Sequence, residues 1–233
     1  MEVPVARRGR DFFLAAFKGF SMIQEGRSIR RFRERYNLLV VLGPTASGKT
    51  GLAVRLARRI GGEILSADSR QVYRGMDLGT GKDLSEYGRE GEAVPVHLID
   101  ICDPEEEFSL FVFHDRFHRA FQQISQRGKI PVMVGGTGLY LDSILRGYQM
   151  TAVSENRVLR DQLAGEGMEL LRRRFRLLCP DAHNTTDLLE RKRVIRAIEI
   201  AEFVRDHPGA AVSTITITPM VIGIRCEREA LRR

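Results

Sequence analysis

Residues 43–50 read Gly43-Pro44-Thr45-Ala46-Ser47-Gly48-Lys49-Thr50, the complete G-x-x-x-x-G-K-[ST] pattern. They follow an apolar run, Leu38-Leu39-Val40-Val41-Leu42, and open a segment, Lys49–Ile60, with helical patterning. A strand, a glycine-rich turn and a helix in that order make a cradle for a polyphosphate, because the backbone N–H groups of the turn and of the first helical turn converge on it. Lys49 brings a point charge to the terminal phosphate, and the Thr50 hydroxyl is placed to ligate Mg²⁺. The loop alone points toward ATP, but it does not say whether the phosphates belong to a nucleotide.

Working outward, further strand candidates are Glu63–Ala67, His97–Ile101, Ile130–Val134 and a late run over 215–224, with helical segments at Phe108–Gln126 and Leu139–Leu145 between them. Continuous apolar strands alternating with helices imply an α/β, P-loop NTPase-like parallel sheet with helices on both faces. Ligands in such folds sit at the carboxyl ends of the strands. From 151 to 208 the strand signal stops and three helical patterns follow: Glu155–Leu163, Gly167–Leu178 and Asp187–Val204, the last with Asp187 as N-cap and Glu190 three residues on. The expected organisation is a basic leader over 1–36, an α/β core over 37–150, a small helical insert over 151–208, and a return to the core over 209–233.

Composition bounds the reading. With 233 residues, 43% hydrophobic and 29% charged, the chain is long enough for a sizeable core and lacks any apolar stretch of membrane-span length. The net charge is +7, and the first 37 residues hold nine Arg/Lys against four Asp/Glu. That leader reads either as a solvated, partly disordered segment or as a contact for nucleic acid or anionic lipid. Cys102, Cys179 and Cys226 lie far apart with no C-x-x-C spacing, which implies a reducing, cytoplasmic compartment.

Three groups of residues at strand ends or on the insert can carry chemistry. The second strand runs into Asp68-Ser69-Arg70-Gln71, so Asp68 stands at the rim beside the phosphate loop. A carboxylate there can hold Mg²⁺ or accept a proton; it can also simply cap a turn. The fourth strand runs into Gly135-Gly136-Thr137, where paired glycines allow close approach of a ligand to the backbone, or form a bare turn. Asp103, before Pro104, reads as turn chemistry, and His97 as a packing residue. On the insert, Arg157, Arg160, Arg172, Arg173, Arg174, Arg176 and the group Arg191, Lys192, Arg193 and Arg196 form either a solvated face or a phosphate-contacting RNA surface.

In order, the strings GPTASGKT, SADSRQVYRGMDLGTGKD, HLIDICDPEEEFS, GKIPVMVGGTGLYL and PDAHNTTDLLERKRVIRAIEI resemble the tRNA dimethylallyltransferase (tRNA isopentenyltransferase) family from about Asn37 onward. The resemblance implies that the phosphate loop holds dimethylallyl diphosphate rather than ATP, with Mg²⁺, and that the prenyl group passes to N6 of adenosine 37 in the tRNA anticodon loop. It implies Asp68 as general base, with Lys49, Thr50, Thr137 and Arg228 as further catalytic residues. Asp68, Ser69, Arg70 and Gln71 would line the pocket for the target base, and Thr137, Arg160, Lys192, Arg193 and Arg196 would contact tRNA. The expected protein is a monomer with no membrane partner. Members of the family continue past the position matching Arg233, and the leader has no counterpart in them. Three other readings remain at this stage: two are transfer to a free adenine nucleotide and a small-molecule P-loop kinase. A truncated RNA-binding relic is a third.

Overall fold

The computed structural model describes residues 25–82, 84–88, 93–148, 150–180, 188–208 and 215–225. They fall into two compact units: residues to Gly147 together with those from Ile215, and Tyr148–Thr214.

The first unit is built on five parallel strands: β1 (Leu38–Leu42), β2 (Gly62–Ser66), β3 (Val96–His97), β4 (Ile130–Val134) and β5 (Pro219–Gly223), in the spatial order β3-β2-β4-β1-β5. β1 and β4 are central and read as unbroken apolar runs because both of their faces are covered. Side chains alternate between those faces. Leu39, Val41, Ile64, Val132 and Val134 point toward α2 (Lys49–Ile60), which contributes Leu52, Ala53, Leu56 and Ala57. Leu38, Val40, Leu65 and Met133 point the other way, toward α3 (Leu110–Gln126) and α4 (Gly138–Leu145). Burying each such aliphatic or aromatic side chain stabilises the sheet by about 1.5–3 kcal/mol. The fold is thus P-loop NTPase-like, with helices on both faces.

In the first unit, two features differ from the sequence reading. The third strand was expected over His97–Ile101 but spans only Val96–His97, because Leu98 (φ 68°) and Asp100 (φ 53°) leave the extended region. Within the segment read as leader, residues Glu25–Arg33 form helix α1. Its Ile29 and Phe32 pack on the α2 face of the core, and Arg33 donates to the Gly128 carbonyl.

The second unit packs α5 (Arg157–Ala164), α6 (Met168–Leu178) and α7 (Arg191–Asp206) around Leu159, Leu163, Leu171, Phe175, Val194 and Ile198. Each helix supplies an i, i+4 pair, as the period of 3.6 requires. α5 starts at Asn156, whose side chain accepts the Leu159 N–H at 3.0 Å, and ends against the Arg191 guanidinium, which donates to the Leu163 and Ala164 carbonyls. α7 begins at Arg191, four residues later than the sequence suggested; Asp187 lies outside the described residues.

Candidate active site

Three loops leave the carboxyl ends of the neighbouring strands β2, β4 and β1, and they bring the candidate residues together. After β1, Ala46 (φ 62°) and Gly48 (φ 72°) take left-handed conformations that bend the backbone around the cradle. For Ala46 this costs strain of the kind found at ligand clamps. Gly48 is the N-cap of α2 and has no side chain to satisfy the first helical N–H groups, so these remain available to an anion. Gly43 lacks a Cβ where one would stand 2.7 Å from the Ser47 hydroxyl, so Ser47 can fold in under the loop. Its Oγ is buried without a hydrogen-bond partner among the described residues. The Lys49 ammonium bends back onto the Pro44 carbonyl at 3.1 Å.

After β2 and β4 the backbones meet. Ala67 N–H donates to the Val134 carbonyl at 2.8 Å, and Thr137 N–H donates to the Ala67 carbonyl at 3.1 Å. A Cβ on Gly135 would stand 2.1 Å from that Ala67 oxygen, so only glycine fits there. Thr137 Oγ1 accepts the Ser69 N–H at 2.8 Å and lies 3.1 Å from the Ser69 hydroxyl. Asp68 Oδ1 accepts the Arg70 N–H at 3.0 Å, while Oδ2 faces the bare Cα of Gly136. The carboxylate is therefore both aimed by a turn and left open on one side.

Gln71 is the exception within this group. Its Oε1 accepts from the Ser66 hydroxyl and its Nε2 donates to the Gly81 carbonyl, both at 3.1 Å. Both ends of the amide are engaged, so in this conformation Gln71 fixes the loop. Tyr140, one helical turn beyond Thr137, stacks on Phe113 at 3.9 Å. Burial, with the nearby Tyr73 and Asp68 charges adding to it, pushes its phenol up to about 12, so it stays protonated beside the carboxylate.

Lys82 is a positioning residue that sequence reasoning passed over. Its side chain is fully buried, with Nζ 2.5 Å from Asp100, 2.9 Å from Asp77 and 2.8 Å from the Tyr73 carbonyl. Burial alone would lower its pKa, but the hydrogen bonds to Asp100 and Asp77 outweigh that and hold it above the ordinary lysine value. In the sequence only its place in Gly-Thr-Gly-Lys set it apart. His97 and Asp103 are structural: His97 meets Glu63 at 2.7 Å, and Asp103 meets Arg74 at 2.7 Å.

On the second unit the expected RNA-contacting cations divide. Arg160 and Arg196 converge on the fully buried carboxylate of Glu199, at 2.7 and 2.9 Å. Arg172, Arg174 and Arg191 are likewise engaged with carboxylates or carbonyls. Arg193 pairs with Glu190 at 3.2 Å on the surface. Arg157, Arg173, Arg176 and Lys192 are exposed and have no such partner among the described residues. Arg228 lies outside the described residues.

The sequence matches two family models, IPP transferase over residues 71–233 and Isopentenyl transferase over residues 36–91. The chain belongs to the IPP transferase family. It is 57% identical over 198 residues to tRNA dimethylallyltransferase 1 of Geotalea daltonii, covering 85% of this chain and 62% of that protein. It is 56% identical over 197 residues to tRNA dimethylallyltransferase 2 of Syntrophotalea carbinolica, covering 84% and 65%. Among solved structures, the full-length tRNA isopentenylpyrophosphate transferase of Bacillus halodurans aligns with a TM-score of 0.50 at 33% identity, over 84% of this chain and 62% of that one. A eukaryotic dimethylallyltransferase, solved acting on tRNA, aligns with a TM-score of 0.62 at 27% identity, over 80% of this chain and 47% of that one. The chain therefore spans a little under two thirds of the length of these bacterial relatives.

Proposed function

We propose that this protein transfers the dimethylallyl group from dimethylallyl diphosphate to N6 of adenosine 37 in tRNA, releasing diphosphate. The observation that carries the reading is the convergence of the phosphate loop and Asp68 at the ends of strands that flank β4. One site offers an anion cradle, and the other, beside it, an open carboxylate. Relatives named for this reaction, at more than half identity, support the same assignment.

The donor binds with its diphosphate in the cradle of residues 43–50. The uncapped α2 N–H groups, the orphaned Ser47 hydroxyl and Lys49 fit a group carrying several negative charges. Magnesium bound with the diphosphate would be held by Thr50 and would neutralise charge on the leaving group. Lys49 swings from the Pro44 carbonyl to the departing oxygens, stabilising charge as it develops. The adenine must leave the anticodon-loop stack to reach the carboxylate. Asp68 takes the proton from N6 as the N6–C1 bond forms and the C1–O bond to diphosphate breaks. Thr137 and the Arg70 N–H hold the Asp68 turn in register. The reading also takes the protein to act as a monomer in the cytoplasm. Among the described residues no helix is long and apolar enough to cross a membrane.

The test is transfer of radiolabelled dimethylallyl from its diphosphate, with Mg²⁺, to an anticodon stem-loop carrying A37. Label appearing on AMP and not on the RNA would overturn the acceptor. ATP hydrolysis without prenyl transfer would overturn the reaction class.

A further inference from the structure

The loop between Tyr73 and Lys82 is rigid at its base and apolar at its tip. Lys82 closes it by holding the Tyr73 carbonyl together with Asp77 and Asp100. Within it, the Thr80 hydroxyl donates to the Met76 carbonyl at 2.7 Å, and Gly75, Gly79 and Gly81 supply three left-handed turns. Yet Leu78 is 97% exposed and Met76 44% exposed. A leucine side chain standing almost wholly in water gains nothing from burial in this fold, although the loop that carries it is ordered by hydrogen bonds.

The loop is continuous with the acceptor pocket. Only Val72, Tyr73 and Arg74 separate residues 75–81 from Asp68-Ser69-Arg70-Gln71, and the Gln71 amide joins that segment to Gly81. Extruding a base from a stack leaves its former neighbours with bare faces, and apolar side chains, leucine and methionine among them, are the groups that cover such faces.

We propose that residues 75–81 form a second RNA-contacting element, in which Leu78 packs against the unstacked bases beside the extruded adenosine. The inference rests on the acceptor assigned above. Its chemistry is apolar packing without charge, so this contact favours unstacked loop bases over duplex and adds nothing to the salt-dependent phosphate term.

The experiment compares the full chain with Leu78→Ser and Leu78→Met, measuring equilibrium binding of an anticodon stem-loop and of a duplex lacking the loop, together with donor KM and melting temperature. Leu78→Ser is expected to weaken stem-loop binding roughly tenfold, the size expected when the burial of one leucine side chain is lost. Duplex binding, donor KM and melting temperature stay unchanged, and Leu78→Met restores stem-loop binding. Stem-loop binding by Leu78→Ser equal to wild type, or an equal loss on stem-loop and duplex, overturns the proposal. A wild type that binds the stem-loop but transfers no prenyl group would overturn the enzymatic reading, while the binding comparison still decides the role of Leu78.

Discussion

Thr137 Oγ1 accepts the backbone N–H of Ser69 at 2.8 Å across 68 residues of sequence, tying the turn after β4 to the one that carries Asp68. Thr137→Val keeps the shape but leaves that N–H unsatisfied, a cost of about 1–3 kcal/mol. Because the cost falls on the segment that aims the carboxylate, transfer should slow by roughly 10- to 100-fold while donor binding holds. Thr137→Ser should retain most of the rate. Single-turnover transfer measures this, and a wild-type rate for the valine variant would separate Thr137 from the reaction.

The two adjacent glycines should behave differently. On Gly135 a Cβ would press into the Ala67 carbonyl group, at 2.1 Å from O and 2.4 Å from C, and backbone cannot yield cheaply. Gly135→Ala should destabilise the first unit by about 1–3 kcal/mol or more, read from the urea midpoint. On Gly136 the nearest atom is Asp68 Oδ2 at 3.4 Å, an ordinary contact. Gly136→Ala should melt like wild type and lose transfer, since its methyl covers the open side of the carboxylate. Equal stability for the two variants would contradict this account.

Much of the core was legible because β1 and β4 are unbroken apolar runs and the phosphate loop joins a strand to a helix in a fixed pattern. The shortening of β3 was hidden, since left-handed Leu98 and Asp100 carry no glycine to announce them. Asp68 and Thr137 could be placed at a rim by counting from strand ends, but the hydrogen bond between their loops could not. Lys82 looks like any surface lysine until Asp100, 18 residues on, closes over it. The same holds for Arg160 and Arg196, whose common partner Glu199 is a matter of helix packing. Long-range charge pairing leaves no local periodicity, so the insert's arginines could not be sorted from sequence.

Glu199 sets the acid limit of the second unit. Burial would raise its pKa, but hydrogen bonds from Arg160, Arg196 and the Asn156 N–H outweigh that and lower it to about 2. A carboxylate depressed in the folded state contributes stability that is complete above its unfolded value of 4.5 and lost as pH falls toward 2. Glu199→Gln should remove that acid limb and, by leaving Arg196 without its carboxylate and Arg160 with only the exposed Glu155, lower the stability of the second unit at neutral pH. Denaturant unfolding followed between pH 2 and 7 measures both effects. An unchanged acid limb in the variant would assign it to other groups.

On α3, the rings of His114 and His118 lie 4.4 Å apart and tilted by 58°, and His114 Nε2 and His118 Nδ1 are buried without partners among the described residues. Burial, reinforced by His114 and opposed by Asp115, lowers His118 from 6.5 to about 4. Between those values the unfolded chain binds the proton and the folded one does not, so stability should rise with pH from about 4 to 6.5. His118→Leu should flatten that slope. The window lies largely above that of Glu199, so one pH series resolves both, and a slope unchanged in the leucine variant would rule out His118 as its source.

The division among the insert's cations predicts two separate phenotypes. Arg160 and Arg196 are committed to a buried carboxylate, so Arg160→Ala or Arg196→Ala should lower the stability of the second unit and weaken RNA binding only as a consequence. Arg157, Arg173, Arg176 and Lys192 are exposed and have no ion-pair partner among the described residues, so their charge is available to phosphate. Each alanine variant at these four positions should melt like wild type. Each that meets a phosphate should also reduce the slope of log affinity against log salt by roughly 0.7–0.9, the counterion released per contact. Stem-loop binding titrated from low to high salt measures that slope. If the arginines bound to Glu199 lowered the slope with no change in melting, while the four exposed cations left it untouched, the division of roles read from these contacts would be reversed.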